Sequence, residues 1–309
     1  MSRQAEIVFI TGATGFIGSN LSRFLLKKGY RVNILLRKNS DTSNLKDIVS
    51  LLTIHKGELN KKNKLKKILE KVKPSYIFHL SSYGNSSSQT ELDKMIEANI
   101  LGLYNLLEAT FRTKYKSFII AGSSSEYGFK KKSMKESDFL EPNSYYSATK
   151  SSASLLAQSY ALKNNKPIRI LRLFSVYGPY EEKNRLIPTV IRKALKKEKI
   201  FVTKEIVKRD FVFVDDVIKA FYKTMKTNLR NGEIINIGTG KQYSNKEIVK
   251  KIEKILNIKL KLGIFPKRAW DTSNWVADVK KSKKMLKWTA QNSLEQGLRK
   301  TIDWQKKYY

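Results

Sequence analysis

An α/β chain built on a doubly wound parallel sheet is what this 309-residue sequence predicts, on three observations. Short β-rich runs alternate with helical patterns through the first half, a glycine-rich turn follows the first strand directly, and a long amphipathic helix precedes the fifth. "IVFIT" (7–11) leads into a helix near 16 to 28, and "RVNILL" (31–36) and "LLTIHKG" (51–57) read as the next two strands. A helix over "KKNKLKKILEKV" (61–72) and the strand "SYIFHL" (75–80) follow. From Leu92 the apolar positions Ile96, Ile100, Leu103 and Leu107 step by three or four, the period of one helix face, before the strand "KSFIIAG" (116–122). Next come a helix opened by "YYSATK" (145–150) and a single strand over "IRILRLFSV" (168–176).

The boundary of the sheet domain falls near "VYGPYEE" (176–182), beyond which the chain is expected to cross between layers more than once. The expected division is 1–175 plus about 208–240 for the sheet domain, and 176–207 with 241–309 for a smaller α/β domain. In the latter, "SNKEIVKKIEKIL" starts with Ser244 and has Glu247 three residues on, a capping-box start.

Composition removes several function classes. There is no cysteine, so no disulfide, thiolate nucleophile or sulfur-ligated metal, and the only histidines, His55 and His79, are too few for a zinc site. No window approaches the roughly 18 apolar residues of a membrane span, which predicts a soluble, cytoplasmic protein without a membrane span. The formal net charge of +34 raises binding to nucleic acid or anionic membrane as a question. The lysines are scattered in short runs ("KKNKLKK", "KKKSMK", "KKEK", "KKSKK") without a nucleic-acid-binding signature, so no specific nucleic-acid partner is expected. They read as solvated helix faces and loops, with some general attraction for anionic substrates.

"VFITGATGFIGSN" places glycines as G-x-x-G-x-x-G between an apolar strand and a helix, the context of a dinucleotide-binding loop. Gly12 can make the tight turn, Gly15 lets the backbone approach a pyrophosphate, and Gly18 lets the helix pack on the strand. The anion is then met by the helix N-terminus. At the end of the second strand, where a binder of NAD usually has an acid for the ribose hydroxyl, this chain has Arg37 and Lys38. Cations there suit a 2'-phosphate, which favours NADP, with NAD as the alternative.

In an open parallel sheet, ligands bind outside the carboxyl ends of the strands. "SFIIAG" ends in Ser123, Ser124 and Ser125, and the following helix begins "YYSATK". On that helix Tyr146 shares a face with Lys150, whereas Tyr145 shares one with Thr149. An ammonium beside a phenol favours the phenolate and lowers its pKa from about 10, which a proton-transferring tyrosine needs. A serine, a tyrosine and a lysine would thus converge beside a nicotinamide.

These motifs, together with "FHLSS", "GSSSEYG", "LRLFSVYGP", "RLIP", "RDFVFVDDV", "NIGTG" and "WVADVKKSKKMLKW" in this order, resemble the extended short-chain dehydrogenase/reductases that act on nucleotide sugars, the NAD-dependent epimerase/dehydratase family. The resemblance covers nearly the whole chain. It implies a Rossmann-type fold with a C-terminal nucleotide-sugar-binding domain, a nucleotide-diphosphate sugar as substrate, and a homodimer formed through the Leu92–Leu107 and Tyr146 helices. Tyr146 would be the acid/base, Lys150 would lower its pKa and hold the nicotinamide ribose, and Ser123 would bond the reacting sugar oxygen. The loop residues Thr14, Phe16 and Ile17, then Glu58, Leu59, Leu80, Ser81, Ser82 and Asn99, would join the three glycines around the cofactor. Glu58 stands where an aspartate usually faces the adenine. Tyr83, Ser124, Ser125, Arg185, Arg209 and Arg268 would meet the substrate, the last two as a clamp on its diphosphate. Ser175 replaces an asparagine that often contacts substrate.

A 4,6-dehydratase of this family commonly has a glutamate two residues before the tyrosine of its "YG" pair, where this chain has Ser125. Glu126 comes one position later, and in an extended segment it would point to the opposite face unless a bulge re-aimed it. Dehydration is therefore disfavoured. The remaining reactions are a 4-ketoreductase, favoured by Arg37 and Lys38, and a 4-epimerase. A non-catalytic NADP-sensing protein is the alternative of a different class, and it would have no use for Tyr146 and Lys150.

Overall fold

The computed structural model describes residues 5–86, 88–203, 207–266 and 271–308. β1 (Ile7–Thr11) is buried at four of its five positions, which is why its sequence shows no polar alternation. α1 (Phe16–Lys27), β2 (Arg31–Leu36) and β3 (Thr53–Lys56) follow. α2 (Lys62–Val72) buries Leu65, Leu69 and Val72 and leaves most of its lysines in solvent. It ends where Lys73 turns left-handed (φ 46°), just before Pro74, which cannot continue a helix. Next come β4 (Tyr76–His79), α3 (Leu92–Met95) and α4 (Gly102–Ala109). The long helix expected from Leu92 is therefore present, but a π-helical turn over Ile96–Leu101 joins its two halves. β5 (Ser117–Ser123), α5 (Tyr145–Lys163) and β6 (Ile168–Leu173) complete the first half.

The expected single strand over "IRILRLFSV" is two. Phe174 donates its N–H to the Ile237 carbonyl, and Ser175 donates to that of Asp210. The chain thus changes partners within two residues, and β7 (Ser175–Tyr177) begins there. The remaining elements are α6 (Leu186–Leu195), β8 (Ile200–Thr203), β9 (Lys208–Arg209), β10 (Phe211–Phe213), α7 (Val214–Lys226), β11 (Glu233–Ile237), β12 (Tyr243–Ser244), α8 (Asn245–Leu256), β13 (Leu262–Phe265), α9 (Lys280–Leu286) and α10 (Leu294–Tyr308).

The central sheet has seven strands in the order β11-β6-β5-β4-β1-β2-β3, and β3, β2, β1, β4 and β5 pair in parallel. This is the Rossmann-type doubly wound sheet. The chain winds from β1 outward to β3 and then crosses back to β4, so the order reverses between β1 and β4, and a crevice opens at their carboxyl ends. Phe9, Leu69, Leu106, Phe118 and Ile170 belong to the core packed on the sheet.

Two compact units make up the chain: residues 1–128, 139–172 and 218–235 in one, and 129–138, 173–217 and 236–309 in the other. Four segments expected in the first unit, 129–138, 173–175, 208–217 and 236–240, fall in the second, 173–175 through the Phe174 and Ser175 bonds. Backbone bonds explain the first of them: Met134 N–H donates to the Val276 carbonyl and Asp278 N–H to that of Met134. The buried Asp210 carboxylate explains the last two, since it accepts from the N–H groups of Thr239, Gly240 and Ala277. Within this unit β7 pairs with β10, β8 with β13 and β9 with β12. α8 opens with the expected capping box: Glu247 N–H donates to Ser244 Oγ, and Ser244 N–H to Glu247 Oε2. Among the described residues no helix is long and apolar enough to cross a membrane.

Candidate active site

The glycine loop sits in the crevice between β1 and β4. Gly12 has φ +75°, and a Cβ on it would lie 2.6 Å from the Ser81 nitrogen. A side chain is excluded twice there, by backbone conformation and by the chain leaving β4. A Cβ on Gly18 would lie 2.1 Å from the Gly12 carbonyl oxygen, so helix and turn approach as closely as bare backbone permits. Gly15 precedes α1, leaving Phe16 and Ile17 in the first turn of that helix, the end that attracts anions. Asn44 Nδ2 donates to the Thr14 carbonyl and pins the loop from outside. Leu80, Ser81 and Ser82 lead away from β4, and Leu80 N–H extends the ladder to Thr11. A dinucleotide's pyrophosphate fits this bare, donor-rich turn.

At the other end of the crevice, Arg37 and Lys38 are exposed beyond β2. Lys38 and Glu58 line an open cleft of about 900 Å³ together with Lys56, Lys61, Lys62 and Lys64. Leu59 is fixed by Asn105, whose Nδ2 donates to its carbonyl.

Asn99 lies in the π-helical turn and reaches well beyond its own helix. Its Oδ1 accepts from Tyr83 N–H (2.9 Å), and its Nδ2 donates to the Tyr83 carbonyl (2.8 Å) and to Thr149 Oγ1 (3.0 Å). One buried amide therefore ties the segment after β4 to α5. The Tyr83 hydroxyl is in turn bonded to the Glu91 carboxylate.

α5 begins at a Ser144 cap and carries Tyr145, exposed, and Tyr146, half-buried. One turn on, Lys150 is buried, and its Nζ donates to the Ala121 carbonyl at 2.6 Å, two residues before Ser123. Burial pulls the Lys150 pKa down, and Glu126 opposes that. His79, bonded through Nδ1 to Thr11 Oγ1 at 2.8 Å, is pushed down to about 3, first by burial and then by the Lys150 charge. It is neutral throughout the physiological range.

Ser123 ends β5 and caps the 3₁₀ turn Ser124–Tyr127. Its hydroxyl is bonded to that of Ser125 (2.8 Å), while Ser124 is buried. The segment is thus not extended, and the alternation expected between Ser125 and Glu126 does not apply. Glu126 still points inward: Oε1 accepts from Ser123 N–H (2.7 Å) and Oε2 from Arg172 Nε (2.7 Å), with the Glu126 side chain fully shielded from solvent.

Of the other sequence-predicted substrate residues, Arg185 and Arg209 lie in the second unit, and Arg268 lies outside the described residues. Arg209 ends β9 with its guanidinium 4.9 Å from the Trp275 ring centroid and Nη1 donating to the Lys208 carbonyl. Arg185 caps α6. Sequence reasoning missed Asn44, Thr149 and the Glu126–Arg172 pair. For the pair a signal was available: Arg169 and Arg172 both interrupt the apolar pattern of this strand, and a buried arginine requires a partner.

The model of the NAD dependent epimerase/dehydratase family matches residues 8–238. An uncharacterized UDP-glucose epimerase of Bacillus subtilis, YtcB, is 31% identical, with 96% of each chain covered. A UDP-glucuronate 4-epimerase of Thermodesulfobacterium geofontis is 30% identical over 96% of this chain and 95% of its own. Among solved structures, the UDP-glucuronic acid 4-epimerase of Bacillus cereus, in complex with UDP-glucuronic acid and NAD, superposes with a TM-score of 0.89 at 29% identity, covering 98% of this chain and 100% of that one.

Proposed function

The chain belongs to the NAD dependent epimerase/dehydratase family, and from that premise we propose that it inverts C4 of a nucleotide-diphosphate sugar, with Tyr146 as acid/base. The observation that carries this reading is the bond from Lys150 Nζ to the Ala121 carbonyl. It seats the lysine against the strand that ends in Ser123, and with Tyr146 one turn earlier on α5 it supports a grouping of hydroxyl, phenol and ammonium at that strand end. The bound dinucleotide supplies hydride acceptance and return. Tyr146, held toward its phenolate by Lys150, takes the C4 hydroxyl proton and later gives it back. Ser123 donates a hydrogen bond to the C4 oxygen and holds it in line. Inversion requires the ketone to present its opposite face before hydride returns. Arg209 is the proposed contact for the substrate's diphosphate, with Arg268 as its expected partner and Arg185 as a further substrate contact.

Dehydration needs a further base for the C5 proton. Glu126, the nearest carboxylate in sequence, is committed to Ser123 and Arg172. The 4-epimerases among the relatives support epimerisation as the first reading, beside the ketoreductase favoured on sequence. The ketoreductase stays as the second reading because the lysine-lined cleft beside Lys38 and Glu58 suits the 2'-phosphate of NADP. A homodimer is proposed through α3–α4 and α5, which expose Leu92, Ile96, Leu101, Leu155 and Leu162.

Nicotinamide absorbance separates the two reactions. An epimerase turns UDP-glucuronic acid over with no net change, whereas a ketoreductase consumes NADPH mole for mole with a nucleotide 4-keto sugar. Turnover of no nucleotide sugar with either cofactor would refute both.

A further inference from the structure

The end of β5 is held from two sides. Lys150 Nζ donates to the Ala121 carbonyl at 2.6 Å, and Ser123 N–H donates to Glu126 Oε1 at 2.7 Å. Gly122 lies between them, and a Cβ on it would come within 2.9 Å of both Glu126 Oε1 and Ile170 Cγ2. The second Glu126 oxygen accepts from Arg172 Nε at 2.7 Å, with 0% and 2% of the two side chains exposed. The guanidinium of Arg172 also lies 4.6 Å from the Tyr127 ring centroid. An ion pair this deep carries a desolvation penalty that an apolar pair would avoid, so stability alone is a poor reason for it. Its position beside the reacting groups suggests another reason.

We infer that Glu126 is a positioning residue of the reaction centre: its carboxylate clamps Ser123 through the backbone N–H, and its buried charge acts on Lys150 across the end of β5. This rests on the roles proposed above for Ser123 and Lys150. Lys150 interacts with Glu126 from the turn and with His79 from β4, and Arg172 lies behind Glu126. His79 is neutral, and Glu126 opposes the effect of burial on the lysine. Glu126 also supports α5 directly, because its carbonyl accepts from Ser151 Oγ at 3.5 Å.

The test compares pH profiles of kcat for the holoenzyme, wild type against Glu126→Gln, Glu126→Asp and Glu126→Gln/Arg172→Met. The double variant removes both charges and so leaves no orphaned guanidinium to unfold the chain. Glu126→Gln is expected to move the alkaline limb down by about one pH unit or more, with a loss of about tenfold per unit above it. Glu126→Asp keeps the charge, so its limb stays while kcat falls through the loosened Ser123. The double variant is expected to melt near the wild type and still show the displaced limb. If it regains the wild-type limb and kcat, or if the limb never moves, Glu126 is structural only and the inference is overturned. The pH dependence of NAD affinity, read by tryptophan quenching, follows the same lysine without turnover. A wild type inactive on every sugar would therefore refute the proposed reaction while leaving this inference open to that second readout.

Discussion

Two adjacent tyrosines show how much single positions decide. Tyr146→Phe is expected to lower kcat by about 10²–10⁴-fold while cofactor binding, followed by fluorescence, stays intact. Tyr145→Phe is expected to leave kcat within about twofold, because Tyr145 is 62% exposed and off the Lys150 face. His79 adds a pH signature. Its folded pKa, about 3, lies below the unfolded value of about 6.5, so between the two the unfolded chain binds the extra proton and stability falls as pH falls. From pH 7 to 5 that linkage amounts to roughly 2 kcal/mol, measurable as a shift in urea midpoint that His79→Gln abolishes. The turn at Gly12 and the shared helix face of Tyr146 and Lys150 were legible in the sequence because a few residues of local spacing define each. That Glu126 is the partner of Arg172 was not, the two being 46 residues apart and joined only by the pairing of distant segments.

At the scale of elements, the π-helical turn between α3 and α4 matters most. A regular helix satisfies the apolar period from Leu92 to Leu107, so the sequence predicted one; the turn instead carries Asn99, which bonds both Tyr83 and Thr149. Asn99→Ala leaves the Tyr83 N–H and carbonyl without their partner. It is expected to cost about 2 kcal/mol in thermal or denaturant unfolding and to raise the KM for the cofactor, since Tyr83 continues the chain that passes Gly12. The alternation of strands and helices was readable from periodicity and turn residues. The break after β6 was not, because "IRILRLFSV" has no glycine or proline to mark it and only the exchange of partners at Phe174 and Ser175 divides it.

For the whole molecule, the doubly wound sheet and the crevice at its switch point followed from the order of elements. The composition of the second unit did not, because segments such as 129–138 join it through pairings remote in sequence. The net charge of +34 acts at this scale too. A field of that sign attracts anions, so the KM for a nucleotide sugar is expected to rise as salt is increased from about 50 to 500 mM, with kcat little changed. Hydride chemistry confined to C4 through Tyr146 is followed most directly by proton NMR of UDP-glucuronic acid incubated with enzyme and NAD in deuterated water. A C4 epimer that keeps protium at C4 and C5 is expected, formed by wild type and absent with Tyr146→Phe. Deuterium at C5, or an epimer made equally by Tyr146→Phe, would contradict that chemistry.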